Sequence, residues 1–306
     1  MQLPNMLLLD RLIRPATVFR DRLTMITKET QNAAPGSASL QGLFVLAISS
    51  FETMLTDIYQ YFIRNVPGAF DFKSVPLQKD SLLDAATPVE LIEEQVERHV
   101  VAVSYERFTV FFGKFTKALG IAQQDFGTDL LDRIIEAKET KNLLLHNNLR
   151  VNSIYKEKAG PAARAMEAGG TLSLTRDYVD ARLHDLGTLG SEVTDRLRET
   201  YANYTRLRAL RELWSYLFTS PVMKFADYWE VDEAAGRVVA IRKSAYEQSL
   251  SHSEQMFLAV LRHHFTGMPQ KGPPIMMYSL DTKRRNDMLY LLGLLHYMGP
   301  WEAMQR

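Results

Sequence analysis

Phe44, Ile48, Phe51, Leu55, Ile58 and Phe62 recur in steps of three and four residues. Such steps return side chains to one face of an α-helix, whereas a strand would throw them to alternate sides. A chain carrying this stripe has to bury it against other elements, and Pro67-Gly68 ends the run because proline cannot continue helical bonding. Before it, the Ala-, Gly-, Ser- and Pro-rich segment Gln31 to Ser39 reads as a loop that separates off a shorter N-terminal helix. The most apolar stretch, Leu43 to Ile63, carries Glu52 and Asp57, and Met288 to Met298 is too short to span a bilayer, so no membrane segment is expected.

Further helical segments follow. One opens at Thr87-Pro88-Val89-Glu90, where Thr87 can cap, Pro88 suits the first turn and Glu90 can reach back to the cap amide; it is predicted to run to Leu119, before Gly120. Another covers Thr128 to His146, with Leu130, Leu131, Ile134, Ala137, Leu144 and Leu145 assigned to its apolar face. Lys158 to Gly170 reads as a surface loop and Thr171 to Leu174 as a brief strand. From Thr175 to Phe218 the spacing of Leu197, Tyr201, Tyr204, Leu207, Leu210 and Trp214 predicts a long packed helix.

Ser220-Pro221 marks a boundary. Beyond it, Tyr228 to Val231 and Arg237 to Arg242 read as two short strands around a turn, followed by helices near Ser253 to Phe265 and Asp281 to Met298. The expected fold is mainly α: an N-terminal helix and linker over residues 1–36, a helical bundle over 37–219, and a small C-terminal α+β module over 220–306 with no mechanism attached.

Composition narrows the chemistry. The chain has no cysteine, which excludes disulfides, zinc knuckles, iron–sulfur clusters and thiol catalysis, and leaves only His and carboxylates as metal ligands. The N-terminal apolar run is broken by Asp10 before it reaches the length of a signal sequence; together with the lack of cysteine this predicts a cytoplasmic protein. With 36 basic and 36 acidic residues there is no global charge signal for nucleic acid. Locally, Lys138 to Arg164 holds six basic residues against Glu139 and Glu157, so Lys138, Arg150, Lys156 and Lys158 are candidates for nucleic-acid contact.

Within that segment stand Glu139-Thr140-Lys141-Asn142-Leu143-Leu144-Leu145-His146-Asn147-Asn148 and then Val151-Asn152-Ser153-Ile154-Tyr155. This resembles the HEPN signature, in which Arg, a polar residue and three variable residues precede His on the third main helix of a four-to-five-helix bundle. The order of the flanking helices, with the Phe51-Glu52 pair on the first, is similar across roughly residues 37 to 219. The resemblance implies a metal-independent endoribonuclease, often a toxin or antiviral effector, needing no cofactor and acting as a homodimer with both His residues facing one composite cleft. It further implies that His146 relays a proton between the ribose 2′-hydroxyl and the departing oxygen, that Lys141 stabilises phosphate charge and that Asn142 orients them, leaving a 2′,3′-cyclic phosphate. Glu139, Asn147 and Glu52 are supporting candidates. The departure is at the cation, where Lys141 offers a point charge in place of the two-pronged guanidinium. The alternative is therefore a catalytically degenerate HEPN-like module that dimerises or binds a partner, such as a nucleotidyltransferase-type antitoxin or another defence component.

Helix geometry reads the same residues independently. At about 100° per residue, Glu139, Asn142 and His146 share a stripe, while Lys141 projects among Ile134, Ala137, Leu144 and Leu145 and needs either a partner, of which Glu52 is one candidate, or a wet cleft. Leu143 falls on the polar side, as expected of a residue buried by a second subunit. His146-Asn147-Asn148 also has the composition of a helix C-terminus. His252, His263 and His264 form a weaker grouping, since adjacent histidines on a helix point about 100° apart.

Overall fold

The computed structural model describes residues 7–66, 69, 88–164, 167–205, 208–209, 212, 229–232 and 237–241. The helices expected near Ser253 to Phe265 and Asp281 to Met298, the Thr87 cap and the histidines after residue 250 lie outside them. The chain divides into two units, one formed by Leu9–Arg64 with Val96–Ala202 and the other by residues 1–8, 65–95 and 203–306. In the second unit the two expected strands are present: β1 (Trp229–Asp232) pairs antiparallel with β2 (Arg237–Ile241), with an irregularity between Glu230 and Val231.

The first unit is helical. It contains α1 (Leu9–Leu12), α2 (Arg14–Asn32), α3 (Ala38–Asn65), the later part of α4 (Pro88–Ser104), α5 (Phe108–Ala118), α6 (Thr128–Asn147), α7 (Ser153–Ala159) and α8 (Arg176–Thr200). The periodic stripe on α3 is buried from Phe44 to Phe62, with Phe51 packed on Phe19 of α2 and Phe108 of α5. By length and composition α3 is long and apolar enough to cross a membrane, but here its stripe is covered by protein.

α2 lies against α8. Close approach depends on glycine: a Cβ at Gly190 would sit 3.1 Å from the Phe19 ring, and one at Gly187 would sit 3.2 Å from Leu23 Cδ2. α8 starts at Thr175, whose hydroxyl accepts a bond from the Tyr178 amide, and it stops at Thr200, short of the expected Phe218. A turn at 201–203 follows, fixed by the Tyr201 hydroxyl, which donates to the Leu119 carbonyl at 2.7 Å.

The helix expected from Thr87 to Leu119 is two helices, broken at Tyr105–Arg107. The inward stripe of α4 is Val96, Val100 and Val103, and a straight continuation would turn Arg107 into the core. Arg107 instead adopts extended backbone, and Phe108, Phe111, Phe112 and Phe115 take the buried positions.

α6 is buried on two sides. Ile134, Ala137 and Lys141 face one way, and Glu136, Thr140 and Leu143 face another. This corrects two expectations: Leu145 is 55% exposed, and Leu143 is buried at 4% exposure within the single chain, so no second subunit is needed to cover it. Glu136 explains the second side. Its carboxylate accepts from the hydroxyls of Thr140, Tyr155 and Tyr178 at 2.6–2.7 Å and from Arg164 Nε at 3.1 Å, and Arg182 lies 3.8 Å away. Burial, reinforced by this carboxylate, pushes the Tyr178 hydroxyl far above the usual tyrosine range.

Within the segment expected as a loop from Lys158, Arg164 is likewise tied down. Arg164 lies 4.0 Å over the Tyr178 ring and also donates to the Ser173 carbonyl at 2.7 Å. The strand expected at Thr171 to Leu174 is reduced to a single bridge between Arg150 and Thr171, with Leu172 and Leu174 buried.

Candidate functional site

α6 ends where the sequence turns to asparagine. Asn148 is left-handed at φ 47° and Leu149 follows at φ 61°, a conformation that asparagine accepts more readily than other side chains with a Cβ. The Leu149 amide returns to the Leu143 carbonyl at 3.1 Å, and Asn147 Nδ2 donates to the Arg150 carbonyl at 2.7 Å. Asn147 thus holds the turn itself, and His146 is left exposed in the last helical turn.

One turn earlier, Asn142 Nδ2 donates to Glu139 Oε2 at 3.2 Å. Glu139, Asn142 and His146 therefore lie together, as their spacing predicts, and form a ridge between two hollows. The larger, of about 630 Å³, is bounded by α3 (Glu52, Thr53, Thr56, Asp57), the turn between α4 and α5 (Tyr105, Arg107) and α6 (Lys138, Lys141). The smaller, of about 430 Å³, is closed by Asn152, Ile154 and Tyr155. Asn152 also caps α7 by accepting from the Tyr155 amide at 2.8 Å.

Lys141 has the partner its position demands. Its ammonium donates to Glu52 Oε2, while Lys138 pairs with Glu52 Oε1 at 2.9 Å, so that one carboxylate bridges both lysines. Lys141 is buried at 9% exposure, and an unpaired ammonium there would cost several kcal/mol. Burial by itself would raise the Glu52 pKa, but the two ammonium groups outweigh it and hold the carboxyl below its ordinary range. Asp57, in the same hollow without such help, is pushed up by burial.

Around this bridge charges are balanced. The larger hollow is lined by Lys138, Lys141, Lys158 and Arg107 and by Glu52, Asp57, Glu106 and Glu139. Arg107 is paired with Glu157 at 2.7 Å, and Glu106 with Lys114 at 2.6 Å. Of the other basic candidates, Lys158 reaches both hollows, whereas Arg150 and Lys156 are exposed and line neither. Among the described residues no three His, Asp or Glu side chains gather as a metal site would require.

Comparison with known proteins finds no match. No family model, curated protein or solved structure matches this chain.

Tyr105 escaped the sequence reading. It is 87% exposed at the mouth of the larger hollow, and the signal was local: an aromatic residue in the polar Ser104–Arg107 interval between two apolar stripes. The Glu136 cluster was missed as well, because a glutamate and a threonine one turn apart on a charged helix read as solvent-facing.

Proposed function

We propose that this chain is a HEPN-like, metal-independent endoribonuclease that cleaves RNA in the larger hollow. The observation that carries the reading is that an exposed His146 shares this hollow with Lys138, Lys141 and Asn142. In the reaction the ribose 2′-oxygen attacks phosphorus, the bond to the 5′-oxygen breaks, and a 2′,3′-cyclic phosphate is left. His146 takes the 2′-hydroxyl proton and returns one to the departing oxygen, a role that imidazole suits at neutral pH. Lys138 and Lys141 stabilise charge on the non-bridging oxygens, and Asn142, held by Glu139, orients the phosphate or the imidazole. Lys158 extends the basic contact along the strand. We further propose a cytoplasmic homodimer in which two such hollows form one cleft, in keeping with a toxin or a phage-defence effector.

A second reading has its own support. Lys141 is already engaged by Glu52, and Leu145 and Ile154 expose apolar side chains beside the His146 ridge, at 55% and 57%. On this reading the bundle is a degenerate module whose ridge docks a protein partner or antitoxin.

The test incubates purified protein with mixed RNA in EDTA, beside Lys141→Ala and His146→Ala. The enzyme reading expects wild-type cleavage to cyclic-phosphate ends and a loss of at least about a hundredfold in His146→Ala. Cleavage no better than the variants on any RNA rejects it and favours the docking module. Light scattering tests the dimer, and a strict monomer rejects the composite cleft.

A further inference from the structure

The bridge made by Glu52 has a consequence for which phosphate the hollow accepts. Each lysine carries three N–H donors and spends one on Glu52, so both retain donors for a phosphate oxygen. Their summed charge with Glu52 is a single positive unit, and the hollow as a whole is lined by equal numbers of basic and acidic side chains. These groups are partly sheltered: the side chains of Lys141, Lys138 and Glu52 are 11%, 17% and 27% exposed, and Lys138 is further fixed 5.8 Å over the Phe108 ring. Salt therefore screens them less than it screens surface charges.

Attraction to a site grows in proportion to ligand charge, whereas the cost of stripping water from the ligand grows with its square. A strongly positive site repays that cost for a dianion, and a weakly positive one does not. We infer that Glu52 is a specificity-determining residue: by cancelling one of the two lysine charges, it makes the hollow select a singly charged phosphodiester over a doubly charged phosphomonoester. This rests on the proposed reading of the hollow as a phosphodiester site and adds what Glu52 does there. The enzyme would engage internal linkages and ignore terminal phosphates and free mononucleotides.

Binding measurements at about pH 8 test this, since a phosphomonoester is dianionic well above its second ionisation at about 6. The probes are the deoxydinucleoside phosphate d(ApA), which bears one charge and lacks the 2′-hydroxyl needed for cleavage, and adenosine 5′-monophosphate, which bears two. Wild type is expected to bind d(ApA) more tightly. In Glu52→Gln the affinity for d(ApA) should rise by about tenfold and that for the monophosphate by about the square of that factor, because the removed repulsion acts on twice the charge. Preference then passes to the monophosphate.

Lys138→Gln supplies the opposite arm and decides the matter if Glu52→Gln loses its helical circular dichroism. It should weaken both ligands, the monophosphate more. Equal fold-changes for the two probes, or a wild-type preference for the monophosphate, overturn the selectivity role while leaving the phosphodiester site standing. If d(ApA) and the monophosphate both fail to bind wild type, the phosphodiester site falls, and the selectivity role with it.

Discussion

Replacing Glu136 by alanine removes the acceptor on which one side of the bundle converges. Glu136 is 1% exposed, and its carboxylate takes hydrogen bonds from Thr140, Tyr155, Tyr178 and Arg164, with Arg182 close by. A made hydrogen bond contributes only about 1 kcal/mol net, but leaving buried donors without a partner costs more. Removing one partner of a buried ion pair typically costs about 3–5 kcal/mol. The lower part of that range is expected here, because Arg182 keeps Asp185 at 2.9 Å and Arg164 keeps the Ser173 carbonyl. Urea unfolding followed by far-ultraviolet circular dichroism reads the loss directly, as a lower midpoint at unchanged slope. Tyr178→Phe, which deletes a single bond to the carboxylate, should cost about 1–2 kcal/mol in the same assay. A Glu136→Ala variant within about 1 kcal/mol of wild type would refute the argument that this cluster pins α6, α7 and α8 together.

The close contact of α2 with α8 makes two glycines behave oppositely. Gly190→Ala meets the Phe19 ring, itself held edge-on against Phe51, and should destabilise by about 1–2 kcal/mol, whereas Gly187→Ala meets only the flexible end of Leu23 and should be neutral or stabilising by up to about 1 kcal/mol through helix propensity; equal thermal shifts in the two variants would contradict this. Leu143→Ala should cost about 2–4 kcal/mol of intrachain stability, and a variant that unfolds like wild type but alters only self-association would restore the discarded subunit-interface reading. Folding lowers the Glu52 pKa, so its stabilising contribution is complete above the ordinary carboxylate range and is lost as pH falls through the lowered folded value. The stability gap between wild type and Glu52→Gln should therefore narrow in acid, and a gap independent of pH would show that the lysines do not hold the carboxylate.

The sequence carried the parts of this fold that depend on clean periodicity. The α3 stripe was legible because large apolar residues mark every inward position, and the need of Lys141 for a partner or a wet cleft followed from the cost of an isolated charge among Ile134 and Ala137, with Glu52 one candidate for the pairing observed. The strand pair at residues 229–232 and 237–241 was legible from its two short runs. The helix break at Tyr105–Arg107 was not, since neither glycine nor proline marks it and the cause is a clash between the valine stripe and Arg107. Sidedness on α6 failed for a related reason. A helix packed on two sides buries Glu136 and Thr140 through hydrogen bonds supplied by Tyr155, Tyr178 and Arg164, residues remote in sequence, and no pattern local to α6 announces that supply. At the site, spacing was enough to group Glu139, Asn142 and His146, but not to foresee that one carboxylate would hold both nearby lysines.

On the proposed reading a phosphodiester sits between the lysine pair and His146. Its most direct test follows the imidazole ring protons of His146 by nuclear magnetic resonance, assigned with a His146→Gln variant, as d(ApA) is added. A saturable shift of the His146 signals is expected, and Lys141→Ala should abolish it. Signals from His146 that stay fixed while d(ApA) binds elsewhere on the protein would contradict it.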